Sequence, residues 1–177
     1  EIERILKELT ELGGEQADSY LANMETLALL DMLFAKAQYG RETEGCVAGL
    51  SEDDTLFLRS ARHPLISKKT VVANTYRIVP PYTTLLITGP NTGGKTVSLK
   101  TMGLFVLMTY CGIPVGCLEA TVPMYDNVFV DIGDSQSIEQ SLSTFSGHIA
   151  NLSEIFKNAT RKSLFILDEL CSCTDPK

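Results

Sequence analysis

A glycine-rich segment with one lysine is the part of the sequence whose residue types and spacing are best suited to chemistry. Residues 89–96 read GPNTGGKT and fit the pattern G-x-x-x-x-G-K-[ST] in full. Glycines let the backbone turn tightly and direct its N–H groups at an anion with no Cβ in the way. Lys95 would bring a cation to the β- and γ-phosphates, and the Thr96 hydroxyl is a hard oxygen ligand for Mg²⁺. The segment predicts a phosphate-binding loop, with nucleotide contacts from Gly89, Pro90, Asn91, Thr92, Gly93, Gly94, Lys95, Thr96 and Val97.

Two adjacent carboxylates near the end of the sequence are the acidic groups that such a loop needs. Residues 164–167 are apolar in succession, which is typical of a central parallel strand buried on both faces. Asp168 at the tip of that strand is suited to hold Mg²⁺, and Glu169 is placed to orient or deprotonate the attacking water. A solvated acidic pair at a strand end is the alternative, and the complete phosphate loop favours the metal site over it.

Hydroxyl residues precede the last amphipathic pattern in the sequence. Ser143 and Thr144 come before Ile149, Leu152 and Ile155, so they read as the capped start of a helix. The N-terminus of that helix is a second potential anion site. From the residues alone, a simple capping role is the favoured interpretation.

The elements around the loop are predicted from apolar runs and from the residues that interrupt them. A helix over residues 97–110 ends near Gly112 and Pro114, which cap it and prevent its continuation. Its N-terminus would face the bound phosphates. Strands are predicted over residues 55–58, 71–74, 76–79, 83–88, 126–133 and 164–167.

Two amphipathic helices are predicted before any strand, over residues 1–12 and 16–38, with a break at Gly13 and Gly14. Their apolar stripes favour a helix-on-helix core over a ligand groove. Residues 39–54 are polar and contain glycine, which indicates a domain boundary. A doubly wound sheet normally continues past such an acidic strand, so we expect the chain to be a fragment or the ordered part of a longer protein.

The composition of the 177 residues narrows the class of protein. Hydrophobic content of 44% and charged content of 21% predict a globular chain, and no apolar run reaches the length of a membrane span. We expect a cytoplasmic protein, associated with nucleoid or ribosome, or an organellar one if a transit peptide was removed. The net charge of −7 argues against this segment wrapping nucleic acid by itself. Five cysteines, odd in number and irregularly spaced, predict reduced thiols and no structural zinc.

Several short blocks in fixed order make the sequence similar to the ATPase domain of the MutS family. The phosphate loop carries the Pro-Asn pair at residues 90–91 that is not general among such loops, and RHPL at 62–65, AN at 73–74, STF at 143–145 and LDEL at 167–170 match other family blocks. Residues 131–145, DIGDSQSIEQSLSTF, resemble the second branch of the family rather than the mismatch-repair branch.

The resemblance implies a fold and a division of the chain. The fold class would be α/β, a P-loop NTPase of the ABC type with a three-layer sheet, preceded by the end of a helical lever arm. Residues 1–40 would be the lever segment and residues 41–177 the ATPase domain, truncated after its acidic strand. The family also implies a homodimer with composite ATP sites, in which one subunit supplies Lys95 and Glu169 as catalytic residues with Thr96 and Asp168 on Mg²⁺. The other subunit would insert Ser143 and Thr144, which makes that helix start functional rather than a simple cap.

The function implied by the resemblance is Mg²⁺-dependent ATP hydrolysis that drives a dimeric clamp. The clamp would act on mismatched, branched or recombining DNA or on stalled ribosomes, through regions outside this segment. The alternative is a nucleotide-switched binding and dimerisation module with little turnover. Two departures stand out: residues 171–175 lack the usual glycines, and Val71 replaces an aromatic residue that stacks on adenine. The family's downstream switch histidine is absent from this chain, so weak hydrolysis is expected of this segment alone.

Overall fold

The structure is a computed structural model that describes residues 1–90, 93–132, 152–153 and 155–168. Three helices and six strands can be followed from end to end in this part of the chain, and residues 152–153 and 155–158 are also helical. The helices are α1 (Ile2–Glu15), α2 (Ala17–Glu42) and α3 (Lys95–Tyr110). The strands are β1 (Gly49–Ser51), β2 (Leu56–Ala61), β3 (Asn74–Ile78), β4 (Glu119–Pro123), β5 (Asn127–Asp131) and β6 (Ser163–Leu167).

The described strands form two separate sheets. The larger sheet has the order β1-β4-β2-β3, and in it β1 is parallel to β4 while β2 is antiparallel to both of its neighbours. Leu58 of β2 pairs with Tyr76 on one side and with Ala120 on the other. The smaller sheet consists of β5 and β6 in parallel, with Val130 opposite Ile166. The carboxyl ends of β5 and β6 therefore lie side by side.

Helix α3 is the central element of the hydrophobic core. Its sequence is apolar over most of its circumference, as expected for a helix that is buried on more than one side. Leu56 and Leu58 of β2 are fully buried and lie on the same face of the strand. They give the larger sheet an apolar face that packs in this core. The buried cluster comprises Leu56, Leu58, Ala61, Tyr76, Met102, Phe105, Val106, Met108, Val115, Cys117, Ala120 and Val122.

The predicted P-loop NTPase fold of the ABC type, with one three-layer sheet, is wrong. The described residues form a small α/β arrangement with a mixed four-stranded sheet and a separate parallel pair. Residues 83–88, predicted as the strand that feeds the phosphate loop, are not in a strand. Leu85 and Ile87 are partly buried against the core while Leu86 is 82% exposed. An alternating apolar pattern predicts burial on one side, but ladder pairing depends on partners far away in the chain, which the pattern does not specify.

Other predicted boundaries also shift in the structure. Helix α1 continues through Gly13 and Gly14, because an exposed glycine in a helix costs only about 1 kcal/mol and leaves the backbone able to continue. Strands β1 and β4 were not predicted, and residues 71–73 are not in a strand. Helix α3 and strands β5 and β6 lie within two residues of their predicted limits.

The first two helices extend from the core with their apolar residues exposed. Helix α1 buries no residue and α2 buries only Gly40, so within the described residues these helices do not form the predicted helix-on-helix core. The C-terminal end of α2 is attached to the core: Gly40 lies against Pro114, and Lys36 Nζ donates a hydrogen bond of 2.6 Å to the carbonyl of Cys111. No helix in the described part of the chain has both the length and the hydropathy needed to cross a bilayer.

Candidate functional site

Two glycines of the predicted phosphate loop, Gly89 and Gly94, adopt conformations that other residues rarely reach. Gly89 has a φ of 148° and Gly94 has a φ of 80°, and a Cβ built on either residue would meet no atom within 4 Å. Glycine is thus required by the backbone, and the space beside both residues is open. Gly93 donates its N–H to the carbonyl of Pro90 at 2.9 Å, which closes the turn.

The loop passes directly into α3. Gly94 is the residue that precedes the helix, and Ser98 N–H donates to its carbonyl at 2.9 Å. The first turn of an α-helix has N–H groups without intrahelical acceptors, and its dipole favours an anion there. The ammonium of Lys95 donates a hydrogen bond of 2.6 Å to the carbonyl of Gly89, so the cation lies over the loop. This combination of amides, dipole and ammonium can bind a phosphate group.

The decisive contact joins this helix start to the end of β6. The hydroxyl of Thr96 donates a hydrogen bond of 2.5 Å to Oδ2 of Asp168, across 72 residues of sequence. Asp168 follows β6 directly, and its N–H donates to the carbonyl of Asp131 at 2.9 Å, which fixes it to the end of β5. Both side chains are partly buried. A hydroxyl oxygen and a carboxylate oxygen therefore meet at the carboxyl edge of the parallel pair.

The oxygen pair fits a magnesium ion that is bound together with phosphates. Mg²⁺ prefers oxygen ligands and usually binds through one or two carboxylates plus substrate phosphates and water, rather than through a complete protein cage. Among the described residues, no group of three or more His, Cys, Asp or Glu side chains could hold a metal. The donor set of Thr96 and Asp168 thus suits Mg²⁺ that arrives with a nucleotide, and a self-sufficient metal centre is not found in the described chain.

The structure brings together some of the predicted site residues and does not describe others. Four of the described ones, Gly89, Gly94, Lys95 and Thr96, lie in or directly after the loop, and Asp168 lies against Thr96. Val97 is 40% exposed in the first turn of α3. The predictions for Asn91, Thr92, Ser143, Thr144 and Glu169 fall outside the described residues and stay predictions.

One contributor was missed at the sequence level. Asp131 ends β5, and its carbonyl accepts the hydrogen bond that positions Asp168. Its place at the carboxyl end of a strand was visible in the sequence, since residues 126–133 were predicted as a strand. The pairing of β5 with β6 was not visible, because an apolar run does not specify its neighbour.

His63 is influenced by the charge of Lys100 in α3 but has the environment of a structural histidine. Burial, followed by the positive charge of Lys100, lowers the pKa of His63 and favours its neutral form. Its Nδ1 accepts a hydrogen bond of 3.3 Å from the N–H of Leu65, which stabilises the turn that follows. A neutral imidazole engaged with its own turn adds no charge to the phosphate site.

Comparison with known proteins agrees with the motifs. The family described as MutS domain V matches residues 85–176, which is more than half of the chain and includes the loop, α3 and β6. The chain belongs to the MutS family. The resemblance that the sequence blocks predicted is thereby confirmed. The contact between Thr96 and Asp168 lies inside the matched range of this MutS chain.

The relatives found for this MutS chain are bacterial proteins named Endonuclease MutS2. The one from Clostridioides difficile (strain 630) is 50% identical over 177 residues, covering 99% of this chain and 22% of the relative. The one from Staphylococcus epidermidis (strain ATCC 35984) is 48% identical and the one from Staphylococcus aureus is 47% identical, each over 99% of this chain and over 23% and 25% of the relative. The chain thus spans at most a quarter of these relatives.

Proposed function

We propose that this chain binds ATP with Mg²⁺ and hydrolyses ATP as part of a protein of the MutS2 type. The observation that carries the proposal is the 2.5 Å contact between the Thr96 hydroxyl and the Asp168 carboxylate, beside a loop with open space at Gly89 and Gly94. A metal-binding oxygen pair and an anion-binding helix start at one edge are the parts that binding of a metal–phosphate ligand needs.

Each described residue has a role that follows from its chemistry. The first turn of α3 and the glycines of the loop would hold the phosphates, and the ammonium of Lys95 would neutralise charge on them. Thr96 and Asp168 would hold Mg²⁺. When bound, Mg²⁺ would supply positive charge against the phosphate oxygens of the nucleotide. Positioning and electrostatic stabilisation account for most of the catalysis in phosphoryl transfer, so these groups are suited to the reaction.

The chemical step is attack of water on the γ-phosphorus, in line with the bond to the β–γ bridging oxygen. That bond breaks, ADP leaves with the bond electrons, and the proton of the water passes to a base or to solvent, which yields phosphate. Glu169 is proposed as the residue that orients this water, and Ser143 and Thr144 of a second copy are proposed to complete the site. These three roles rest on the sequence and on membership of the MutS family.

The larger context is also a proposal. The relatives are named endonucleases, and we propose a homodimeric protein whose nucleotide state drives action on DNA or on stalled ribosomes. Contacts to those partners would come from regions outside residues 1–177, in keeping with the net charge of −7 on this segment. A bacterial cytoplasmic location is proposed with it.

The first test is a calorimetric titration of the intact protein with ATP, with and without Mg²⁺. The second test is an assay of phosphate release. We expect binding that Mg²⁺ strengthens, and loss of phosphate release in Glu169→Gln with binding retained. Absence of any binding of ATP in the presence of Mg²⁺ would refute the proposal. Binding with phosphate release unaffected by Glu169→Gln would leave a nucleotide-switched dimerisation module as the better account.

A further inference from the structure

One face of α3 carries two contacts with the end of β6. Thr96 and Gly103 are seven residues apart, which is about two turns of helix, so they lie on the same face of α3. Ile166 and Asp168 are two positions apart, so they point to the same side of the extended chain. Thr96 meets Asp168 at one end of this interface, and Gly103 meets Ile166 deeper in the core.

Gly103 leaves little space for a side chain between α3 and β6. A Cβ built on Gly103 would lie 2.5 Å from Cδ1 of Ile166 and 4.0 Å from its Cγ1. Carbon atoms in favourable contact are about 3.5–4.0 Å apart, so there is no room for that Cβ while Cδ1 is in place. Gly103 is buried and Ile166 is only 3% exposed, so both residues lie in the core. A Cβ at residue 103 therefore requires either Cδ1 of Ile166 or the helix itself to move.

We propose that Gly103 and Ile166 are a positioning pair, which sets the separation of Thr96 from Asp168 and thereby the affinity of the nucleotide site for Mg²⁺. Neither residue is one of the predicted site residues. The effect on the distance between Thr96 and Asp168 needs no ligand, whereas the effect on Mg²⁺ affinity rests on the proposed function. A rigid, well-packed interface transmits a displacement at Gly103 along α3 to Thr96.

The first test measures geometry without any ligand. Crystal structures of the intact protein are compared for the wild type, Gly103→Ala, Ile166→Val and the double variant. Alanine favours a helix more than glycine does, so Gly103→Ala should not weaken α3 by itself. We expect Gly103→Ala to lengthen the distance from Thr96 Oγ1 to Asp168 Oδ2 by about 0.5 Å or more, since the added Cβ needs ordinary contact distance. Ile166→Val removes Cδ1, the atom in the way, so the double variant should restore the distance.

The second test measures the consequence for the ligand. The Mg²⁺ concentration needed for half of the maximal ATP binding is determined for the same four proteins. Gly103→Ala should raise it about tenfold, as expected when a supporting contact of a metal site is disturbed, and the double variant should return it to near the wild-type value. Binding of ATP without Mg²⁺ is the internal control and should not change, because the loop and Lys95 are untouched.

The two tests separate the possible failures. An unchanged distance in Gly103→Ala overturns the positioning pair, and so does a lengthened distance that Ile166→Val fails to restore. A distance that responds as expected while Mg²⁺ dependence stays constant overturns the link to the metal. A distance that responds as expected in a protein that binds no ATP with Mg²⁺ overturns the proposed function and leaves the geometric inference intact.

Discussion

Two threonine–aspartate hydrogen bonds occur at opposite ends of the β5–β6 pair. At the carboxyl end, Thr96 donates to Asp168 at 2.5 Å, and we call this the carboxyl-end pair. At the amino end, Thr160 donates to Asp126 at 3.1 Å, and we call this the amino-end pair. The two pairs have the same functional groups and lie at the two ends of the same two-stranded sheet, so the comparison shows the effect of their surroundings.

The two pairs differ in whether groups that can bind an anion lie beside them. The carboxyl-end pair is partly buried, and it adjoins the first turn of α3 and the loop that holds Lys95. The amino-end pair is exposed, and Thr160 is engaged in a local turn by bonds with Ser163 and Lys162. Ligands of open parallel sheets bind beyond the carboxyl ends of strands, where the following helices point their N-termini. Position relative to strand direction, and not residue type, distinguishes a candidate site from a structural turn.

Replacing the two aspartates tests the comparison most strongly. Asp168→Asn removes the negative charge from the proposed metal position, so the affinity for ATP with Mg²⁺ should fall about 100-fold. Asp126→Asn makes the same change in the amino-end pair and should alter that affinity less than about twofold, because it lies at the far end of the sheet. Calorimetric titration of both variants measures this. Equal losses would show that the two pairs are not functionally distinct.

Replacing threonines on the same helix gives a smaller effect. Thr96→Val keeps the shape and removes the hydroxyl, so we expect about tenfold weaker binding of ATP with Mg²⁺ and little change without the ion. Thr109 is the matched control at the other end of α3, where its hydroxyl donates to the carbonyl of Phe105 at 2.7 Å. Thr109→Val should leave nucleotide affinity unchanged. A similar drop in both variants would point to a general weakening of α3.

Two glycines with left-handed backbone flank α3. Replacing each of them distinguishes an effect on stability from an effect on ATP binding. Gly94 has a φ of 80° before the helix and Gly112 has a φ of 64° after it. Alanine at either residue should lower the free energy of unfolding by roughly 1–2 kcal/mol, the cost of a left-handed conformation for a residue with a Cβ. Thermal unfolding measures this loss. Only Gly94→Ala should also weaken ATP binding, and a loss of binding in Gly112→Ala would contradict the assignment of the site to one end.

Alkaline pH should weaken the packing around Tyr125, which precedes β5 at the amino end of the β5–β6 pair. Burial, followed by Tyr110 and then Asp54, raises the pKa of Tyr125 to about 12, from an ordinary value of about 10. The N–H of Tyr125 donates to the hydroxyl of Tyr110, which in turn donates to the carbonyl of Pro123. Since the folded protein holds the proton more tightly, this stabilisation is complete below pH 10 and is lost as the pH rises towards 12.

Tyr125→Phe is the variant that tests the alkaline effect. It should flatten the loss of stability between about pH 10 and pH 12, as followed by denaturation at each pH. Its affinity for ATP with Mg²⁺ at neutral pH should match the wild type. An unchanged pH profile would mean that another group controls the alkaline transition.

The residue types of the candidate site are predictable from the sequence. Spacing alone predicted a phosphate-binding loop at residues 89–96, a helix after it, and an acidic residue at the end of an apolar run, because glycine, lysine and carboxylate patterns are local. It also identified the MutS family, which the comparisons confirm. Helix α3 and strands β5 and β6 were predicted for the same reason, since their periodicity is contained in one segment.

Which elements are neighbours depends on contacts across the whole fold. The predicted three-layer sheet is replaced by two sheets, and the strand expected at residues 83–88 is absent from the described ladders. Strands β1 and β4 pair across 72 residues of sequence without a local signal. The sequence around Gly103 has no feature that predicts its proximity to Ile166, which is seen only in the folded chain. Pairing and close packing depend on contacts between distant segments, whose free energy is not contained in either segment alone, and the same contacts bring Thr96 to Asp168.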